Sequence, residues 1–237
     1  MSLAKIPISL LVSYAFKKGT SPPNPPPPKE ERITTNFLEH EWYTTKIPKL
    51  AGNANFLLGI LEAATILAWN YPSTILSQFI LSGLIFNCGR PERLHLSTMN
   101  ALGGILIVVG ALLRLITYRY LGKFFKFEAS IQKDHKLITS GPYTFVRHPS
   151  YTGLIFTHPG WIFWHFGDGS WVRESGIWNT ATGKFIVIGY IVGVLCGVLY
   201  LTLARMGDED EALKKRFGKD WDNWVRKVPY LLVPRVY

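Results

Sequence analysis

Between Asp134 and Gly153 the chain reads DHKLITSGPYTFVRHPSYTG, which gathers His135, Tyr143, Arg147, His148 and Tyr151 into one short stretch. Arginine and histidine supply donors for an anionic group, and tyrosine supplies a hydroxyl and an aromatic face for a cation. Gly141-Pro142 marks a turn and His148-Pro149 a second restricted point, because proline disfavours the helical region for the residue before it. The stretch stands directly before an apolar run. It is expected to fold as a cap at a membrane surface with several polar side chains turned inward. The same composition also suits an ordinary basic interfacial loop whose His and Tyr side chains satisfy local hydrogen bonds. Residue types alone leave both open.

The elements that must position this stretch are apolar. Of 237 residues, 48% are hydrophobic and only 18% charged, below the roughly 25% charged share of soluble domains. The apolar residues are blocked into runs, which marks a polytopic membrane protein of all-α class. Ala54 to Trp69 and Ser73 to Phe86, joined by Asn70-Tyr71-Pro72, read as a helical hairpin. Each is short against the roughly 20 residues of a full span. Thr98 to Tyr118 is the clearest span, and its Gly103-Gly104 and Gly110 permit close helix contact. Tyr151 to Phe166 is interrupted by His158-Pro159-Gly160. Lys184 to Leu203 is the last span, and Gly189, Gly193 and Gly197 along one face predict tight packing against a neighbour. Five or six spans are expected.

Residues 3–16 form a shorter apolar segment, followed by Lys17-Lys18 and not by a small-residue cleavage site, so an inserted helix or interfacial anchor is expected. Ser21 to Pro28 (SPPNPPPP) must be extended, since prolines cannot donate helix hydrogen bonds. It reads as a spacer without a partner. The domain division is residues 1–50 for the N-terminal segment and linker, 51–96 for the hairpin, and 97–237 for the core with its tail.

The net charge of +10 comes from Lys and Arg residues between the apolar runs, which suits anionic lipid headgroups. No nucleic-acid motif accompanies it, so nucleic acid is not an expected partner. Cys88 and Cys196 have no metal-ligand or redox spacing. The stretch 119–147 and the tail after Leu203 are both basic, whereas Gly167 to Gly183 has only Arg173, offset by Asp168 and Glu174. The positive-inside bias therefore puts the long loop and the tail together on the cytosolic side. In the tail, DEDEALKKRF places acids first and bases last, the order a helix dipole favours, and Gly218 is a helix stop. Trp221 and Trp224 suit an interface. Glu62 is an intramembrane acid and a functional candidate by default, or simply solvated if the hairpin sits shallow, which is the preferred expectation. His158 and His165 look like packing residues, with no metal expected. Arg90 and Arg93 are expected to face headgroups or solvent.

The run HKLITSGPYTFVRHPSYTG, an apolar hairpin, and then RMGDEDEALKKRFGKDWDNWVRKVP together resemble the isoprenylcysteine carboxyl methyltransferase family. The likeness covers roughly residues 98 to 237. Arg-His-Pro-x-Tyr alone also occurs in related lipid methyltransferases and sterol reductases. The resemblance implies a cytosolic cap that binds S-adenosylmethionine through His135, Lys136, Leu137, Ile138, Tyr143, Arg147, His148, Pro149, Ser150 and Tyr151. It implies a substrate side at Arg205 and Glu209, which share a helix face at i and i+4 spacing. Arg147 and His148 are then donors to the cofactor carboxylate. Arg205 orients the acceptor carboxylate and Glu209 holds Arg205 or the cofactor ammonium. Three positions depart from the family pattern: Glu128, where an amide is usual, and Trp221 and Trp224, where tyrosines are more common. The implied partners are prenylated CaaX-type proteins after proteolysis and membrane lipid, and the implied location is the endoplasmic reticulum. Phospholipid N-methylation, a nicotinamide-dependent membrane reductase and a non-catalytic scaffold stay open as alternatives.

Overall fold

The computed structural model describes residues 2–33, 40–200 and 205–236. It is all-helical, with no strand among the described residues beyond a single bridge between Arg32 and Ser130. The helices are α1 (Lys5–Thr20), α2 (Ile47–Asn70), α3 (Ile75–Leu84), α4 (Thr98–Leu121), α5 (Pro149–Phe166), α6 (Trp171–Glu174), α7 (Ala181–Tyr200), α8 (Met206–Phe217) and α9 (Lys219–Lys227). A π-helical turn, Trp42–Lys46, leads into α2. Trp42–Asn70 and Thr98–Phe124 are long and apolar enough to cross a bilayer, whereas Ile75–Leu84 and Ala181–Gly193 are shorter apolar helices. The second arm of the expected hairpin is thus only ten residues of helix. Residues 201–203 of the last expected span lie outside the described residues.

The chain divides into two units, and α2, α4, α5 and α7 each contribute to both. The first comprises Met1–Lys17, Asn53–Val109 and Phe156–Leu195. Its core joins Val12 and Phe16 of α1 to Ile107, Trp161 and Trp164. Glycines let α4 and α5 approach closely here. A Cβ on Gly103 would lie 2.5 Å from the Trp164 amide nitrogen, and one on Gly160 would lie 2.8 Å from the Gly103 carbonyl oxygen. That packing carries α5 straight through Pro159 as one helix. The sequence suggested a break, but a helix tolerates an interior proline where neighbouring groups satisfy the freed backbone.

Two expectations fail in this unit. Glu62 is not solvated: it is 4% exposed and accepts from Lys5 Nζ at 2.8 Å, Ser9 Oγ at 2.6 Å and the Trp171 amide at 3.0 Å. Lys5, itself fully buried, also donates to the Gly169 carbonyl. The buried charge is tolerated because both partners are saturated. Secondly, the stripe at Gly189, Gly193 and Gly197 meets nothing within 4 Å among the described residues. Tight glycine packing is spent on α4 and α5, and α7 turns its glycines outward. His165 is a packing residue as expected, sharing Asn55 Oδ1 with Trp161 Nε1 at 2.9 and 2.8 Å.

The second unit comprises Lys18–Gly52, Gly110–Ile155 and Cys196–Tyr237. The proline segment is no free spacer there. Asn24 Nδ2 donates to the Gly122 and Phe125 carbonyls, Lys126 Nζ to the Pro25 carbonyl, and Ile33 and Ile131 amides to the Ala129 and Glu31 carbonyls. Polyproline carbonyls are unpaired internally, so the loop 122–131 can use them. Gly141 has a φ of +63° and faces the Tyr120 ring, a position a side chain would block.

Candidate active site

The site is built where α5 starts against the start of α8. The Arg147 and His148 amides donate to the Tyr230 and Leu231 carbonyls at 2.9 Å each, and Thr152 Oγ1 donates to the Leu232 carbonyl at 2.7 Å. The chain end thereby fixes the RHPSYT turn in ladder fashion. Pro149 opens α5, a position where its missing N–H costs nothing. His148 therefore sits at the positive end of the helix, where carboxylates are favoured.

Those carboxylates come from α8. Asp210 Oδ1 lies 2.9 Å from His148 Nε2, and Asp210 Oδ2 lies 2.5 Å from an Arg147 terminal nitrogen. A carboxylate only accepts, so His148 carries a proton on Nε2. Glu209 Oε1 accepts from the Tyr151 hydroxyl at 2.6 Å and from Arg205 Nε at 2.9 Å, while Oε2 stands 3.6 Å from His148 Nδ1. His148 and Tyr151 stack at 5.5 Å. Arg147, Arg205, Glu209 and Asp210 sum to zero charge around a His148 that is 7% exposed.

Tyr143 forms the floor. It packs with Trp221, Trp224 and Val228, flanked by Leu137 and Ile138, and its carbonyl accepts from Trp224 Nε1 at 3.2 Å. Burial, and then the charge of Glu209, push its phenol well above the ordinary value, so it stays neutral. Trp221 and Trp224 are 4% and 7% exposed. They belong to the core that clamps α9 to the loop, and the interfacial expectation is corrected. Their burial follows from the three-residue spacing, which puts both on one face of α9.

The remaining residues lie around this nucleus. Ser150 receives an Arg114 terminal nitrogen on its hydroxyl at 3.1 Å and on its carbonyl at 3.2 Å. Arg114 Nε also reaches the Gly19 carbonyl at 2.5 Å and Tyr118 Oη at 3.0 Å. Gly153 is small because Arg114 Cγ would lie 2.6 Å from its Cβ. His135 is stacked on Phe124 at 4.9 Å and edge-on to Phe217 at 6.0 Å, outside the carboxylate cluster. Burial, and then Arg216, lower its pKa below the ordinary 6.5. Lys136 is exposed. Among the described residues, the backbone groups of 136–139 make no hydrogen bond. Glu128 is 2% exposed and accepts on Oε1 from Thr44 and Thr45 hydroxyls at 2.9 Å each, so this departure is held by the turn before α2.

Arg147, His148 and Tyr151 thus meet Arg205 and Glu209, while His135 and Lys136 stand apart from that cluster. Arg147 and His148 are engaged with Asp210, and among the described residues Arg147 Nε is a buried donor without a partner. The sequence reading missed Asp210, Arg114, Thr44 and Thr45. A buried-arginine signal was present, since Arg114 interrupts the clearest apolar span.

A profile described as the isoprenylcysteine carboxyl methyltransferase (ICMT) family matches residues 103–164. The protein-S-isoprenylcysteine O-methyltransferase of Rattus norvegicus is 26% identical over 147 residues, and that of Mus musculus 27% over 147, each match covering 59% of this chain and 43% of the relative. The Schizosaccharomyces pombe protein of the same name is 31% identical over 100 residues, 41% of this chain and 33% of the relative. The chain spans less than half the length of these curated relatives. The matched profile includes Arg114 and the whole RHPSYTG turn, whereas Arg205, Glu209 and Asp210 fall beyond it. Over residues 103–164 this chain is similar in sequence to the isoprenylcysteine carboxyl methyltransferase family.

Proposed function

We propose that this chain is a membrane-embedded methyltransferase that moves a methyl group from S-adenosylmethionine to the C-terminal carboxylate of an S-prenylated cysteine. The observation that carries the reading is the meeting of 147–151 with 205–210 through Glu209 and Asp210. The names of the relatives supply the acceptor class. The residues present fit the donor. Arg147 Nε offers a buried donor to its carboxylate, Glu209 and Asp210 offer acceptors to its ammonium, and the unpaired backbone of 136–139 offers edges to adenine. When bound, the donor supplies a methyl group on a sulfonium.

The chain's own residues then position and desolvate. The acceptor carboxylate needs no base, because an α-carboxyl with a pKa of about 3.5 is already ionised. Arg205 orients it, and Glu209 restrains Arg205 so that the pair does not overbind a charge that the reaction consumes. Arg114 has no carboxylate partner among the described residues, and it adds buried positive charge behind Ser150. Glu209 Oε1 is already occupied by the Tyr151 hydroxyl and Arg205 Nε, so it is not placed to take a proton from an amine, which favours a carboxylate acceptor. The reading includes five or six spans with the site on the cytosolic face of the endoplasmic reticulum. The basic stretches 119–147 and 205–227 falling in one unit support it. The substrates are CaaX-type proteins after proteolysis, their prenyl chains entering from the lipid.

Membranes containing the chain should transfer radiolabel from S-adenosylmethionine to N-acetyl-S-farnesylcysteine and not to phosphatidylethanolamine. Labelling of the phospholipid alone would end the assignment. His148→Ala should abolish transfer while leaving a folded protein; wild-type turnover by that variant would remove His148 from the site.

A further inference from the structure

The first unit holds a second built feature, far in character from the site above. A cleft of about 680 Å³ lies between the α3–α4 connection and the α5–α7 connection, with Arg90, Arg93, Arg173, Asp168 and Glu174 on its walls. Its rims are tied by backbone hydrogen bonds, from the Phe86 amide to the Ser175 carbonyl at 2.7 Å and from the Arg90 amide to the Glu174 carbonyl at 2.6 Å. Asn87 and Cys88 are held at φ of +31° and +62° to make the turn, a conformation that costs non-glycine residues energy.

The charges on the walls do not cancel locally. Arg173 takes both acids, Asp168 at 2.7 Å and Glu174 at 3.8 Å, and Glu174 further accepts from the Gly169 amide. Arg90 and Arg93 are left without a carboxylate partner among the described residues. Glu92, between them in sequence, does not line the cleft. Two uncommitted guanidiniums on a backbone-fixed rim suit a tetrahedral oxyanion, which arginine binds through paired N–H donors.

The helix that leads to the cleft indicates where the anion comes from. Ile75, Leu76 and Phe79 of α3 are 87%, 67% and 76% exposed. This ten-residue helix, about 15 Å long, ends at Leu84, a few residues before the turn. The exposed apolar side chains of α3 lie on its first two turns, and the chain beyond its last turn leads to a cleft with an excess of positive charge, the layout of a lipid whose acyl chains lie along the helix and whose headgroup is seated.

We propose that this cleft binds the phosphate of an anionic phospholipid whose acyl chains lie along α3. The chemistry shared with a free anion is the phosphate, and the test separates the two sources. The purified full chain in neutral detergent is titrated with phosphatidylglycerol, phosphatidylcholine or inorganic phosphate, and its thermal midpoint is followed. Phosphatidylglycerol should raise the midpoint, with phosphatidylcholine inert. Arg90→Gln/Arg93→Gln should raise the half-saturating lipid concentration at least about tenfold, a loss of about 1.4 kcal/mol, since hydrogen bonds to charged groups are among the strong ones. Arg90→Lys/Arg93→Lys, which keeps the charge, should fall between. A response to inorganic phosphate with the same arginine dependence would keep the anion cleft and overturn its lipid occupant. An equal response of wild type and the Gln variant to phosphatidylglycerol would overturn the cleft itself. The readout does not pass through methyl transfer, so it stands or falls apart from the proposed activity.

Discussion

At the residue scale, the acid that organises the site is one the sequence disguised. In DEDEALKKRF the leading acids suit a helix dipole, and only Glu209 stands out, because it lies four residues from Arg205. Successive helical residues point about 100° apart, however, so neighbouring acids can serve different partners. Glu209 takes Arg205 and Tyr151, and Asp210 takes His148 and Arg147. Asp210→Asn should therefore lower kcat/KM about 10–100-fold, the equivalent of one charge-assisted hydrogen bond. Glu211→Gln, in the same run but paired only with exposed Lys215, should leave it unchanged. Equal activity of both variants would mean that Asp210 is ordinary surface charge. His135 makes a different prediction. Its folded pKa is lowered, first by burial and then by Arg216, so the unfolded chain takes up the proton first. Its stability contribution is whole above the ordinary 6.5 and is lost as pH falls from there through the folded value. Thermal midpoints of His135→Phe, which keeps the ring on Phe124, should decline less than wild type below pH 6.5. Parallel decline would exclude His135 as the acid-sensitive group.

At the scale of elements, the sequence exposed whatever depends on local pattern and hid whatever depends on neighbours. The all-α class, the α4 span, the Gly141-Pro142 turn and the Gly218 stop follow from periodicity and backbone restriction, and all are present. Which glycines pack was not legible, because a glycine says only that a close approach is allowed. Gly103 and Gly160 are used, while Gly189, Gly193 and Gly197 meet no neighbour among the described residues. Glu62 was misread for the same reason: its partner, Lys5, is 57 residues away in an element read as an anchor. The pair pins α1 to α2 in the first unit. Breaking it one side at a time should cost about 3–5 kcal/mol by stranding a buried charge, whereas replacing both with apolar residues of like volume should be near neutral or stabilising. Unfolding midpoints of Glu62→Leu, Lys5→Met and the double variant check this. Additive losses in the double variant would show that the charges act independently.

At the scale of the whole molecule, the N-terminal 33 residues do more than precede the family-matched segment. They give Lys5, Ser9, Val12 and Phe16 to the first unit. In the second they give the Gly19 carbonyl to Arg114 and Tyr118, the Asn24 amide group to the Gly122 and Phe125 carbonyls, and the Glu31–Ile33 edge to Ala129 and Ile131. Polyproline composition gave no hint of this, since its carbonyls carry no pattern that names an acceptor loop. The loop they hold, 122–131, leads directly to His135 and the backbone of 136–139. Removing residues 1–33 would strand Glu62 as a buried charge without Lys5, take the Gly19 carbonyl from Arg114, and unpair the loop at once. A stranded buried charge costs about 3–5 kcal/mol, and the lost packing of Val12 and Phe16 adds to it, against total stabilities of about 5–15 kcal/mol. The deletion variant should therefore lose its cooperative thermal transition in detergent, whereas Asn24→Ala, which removes the two Asn24 hydrogen bonds to the loop, should unfold cooperatively with a lowered midpoint and weaker S-adenosylmethionine binding by calorimetry. A deletion variant that melts like the full chain would show that α1 and the strap merely decorate a core complete without them.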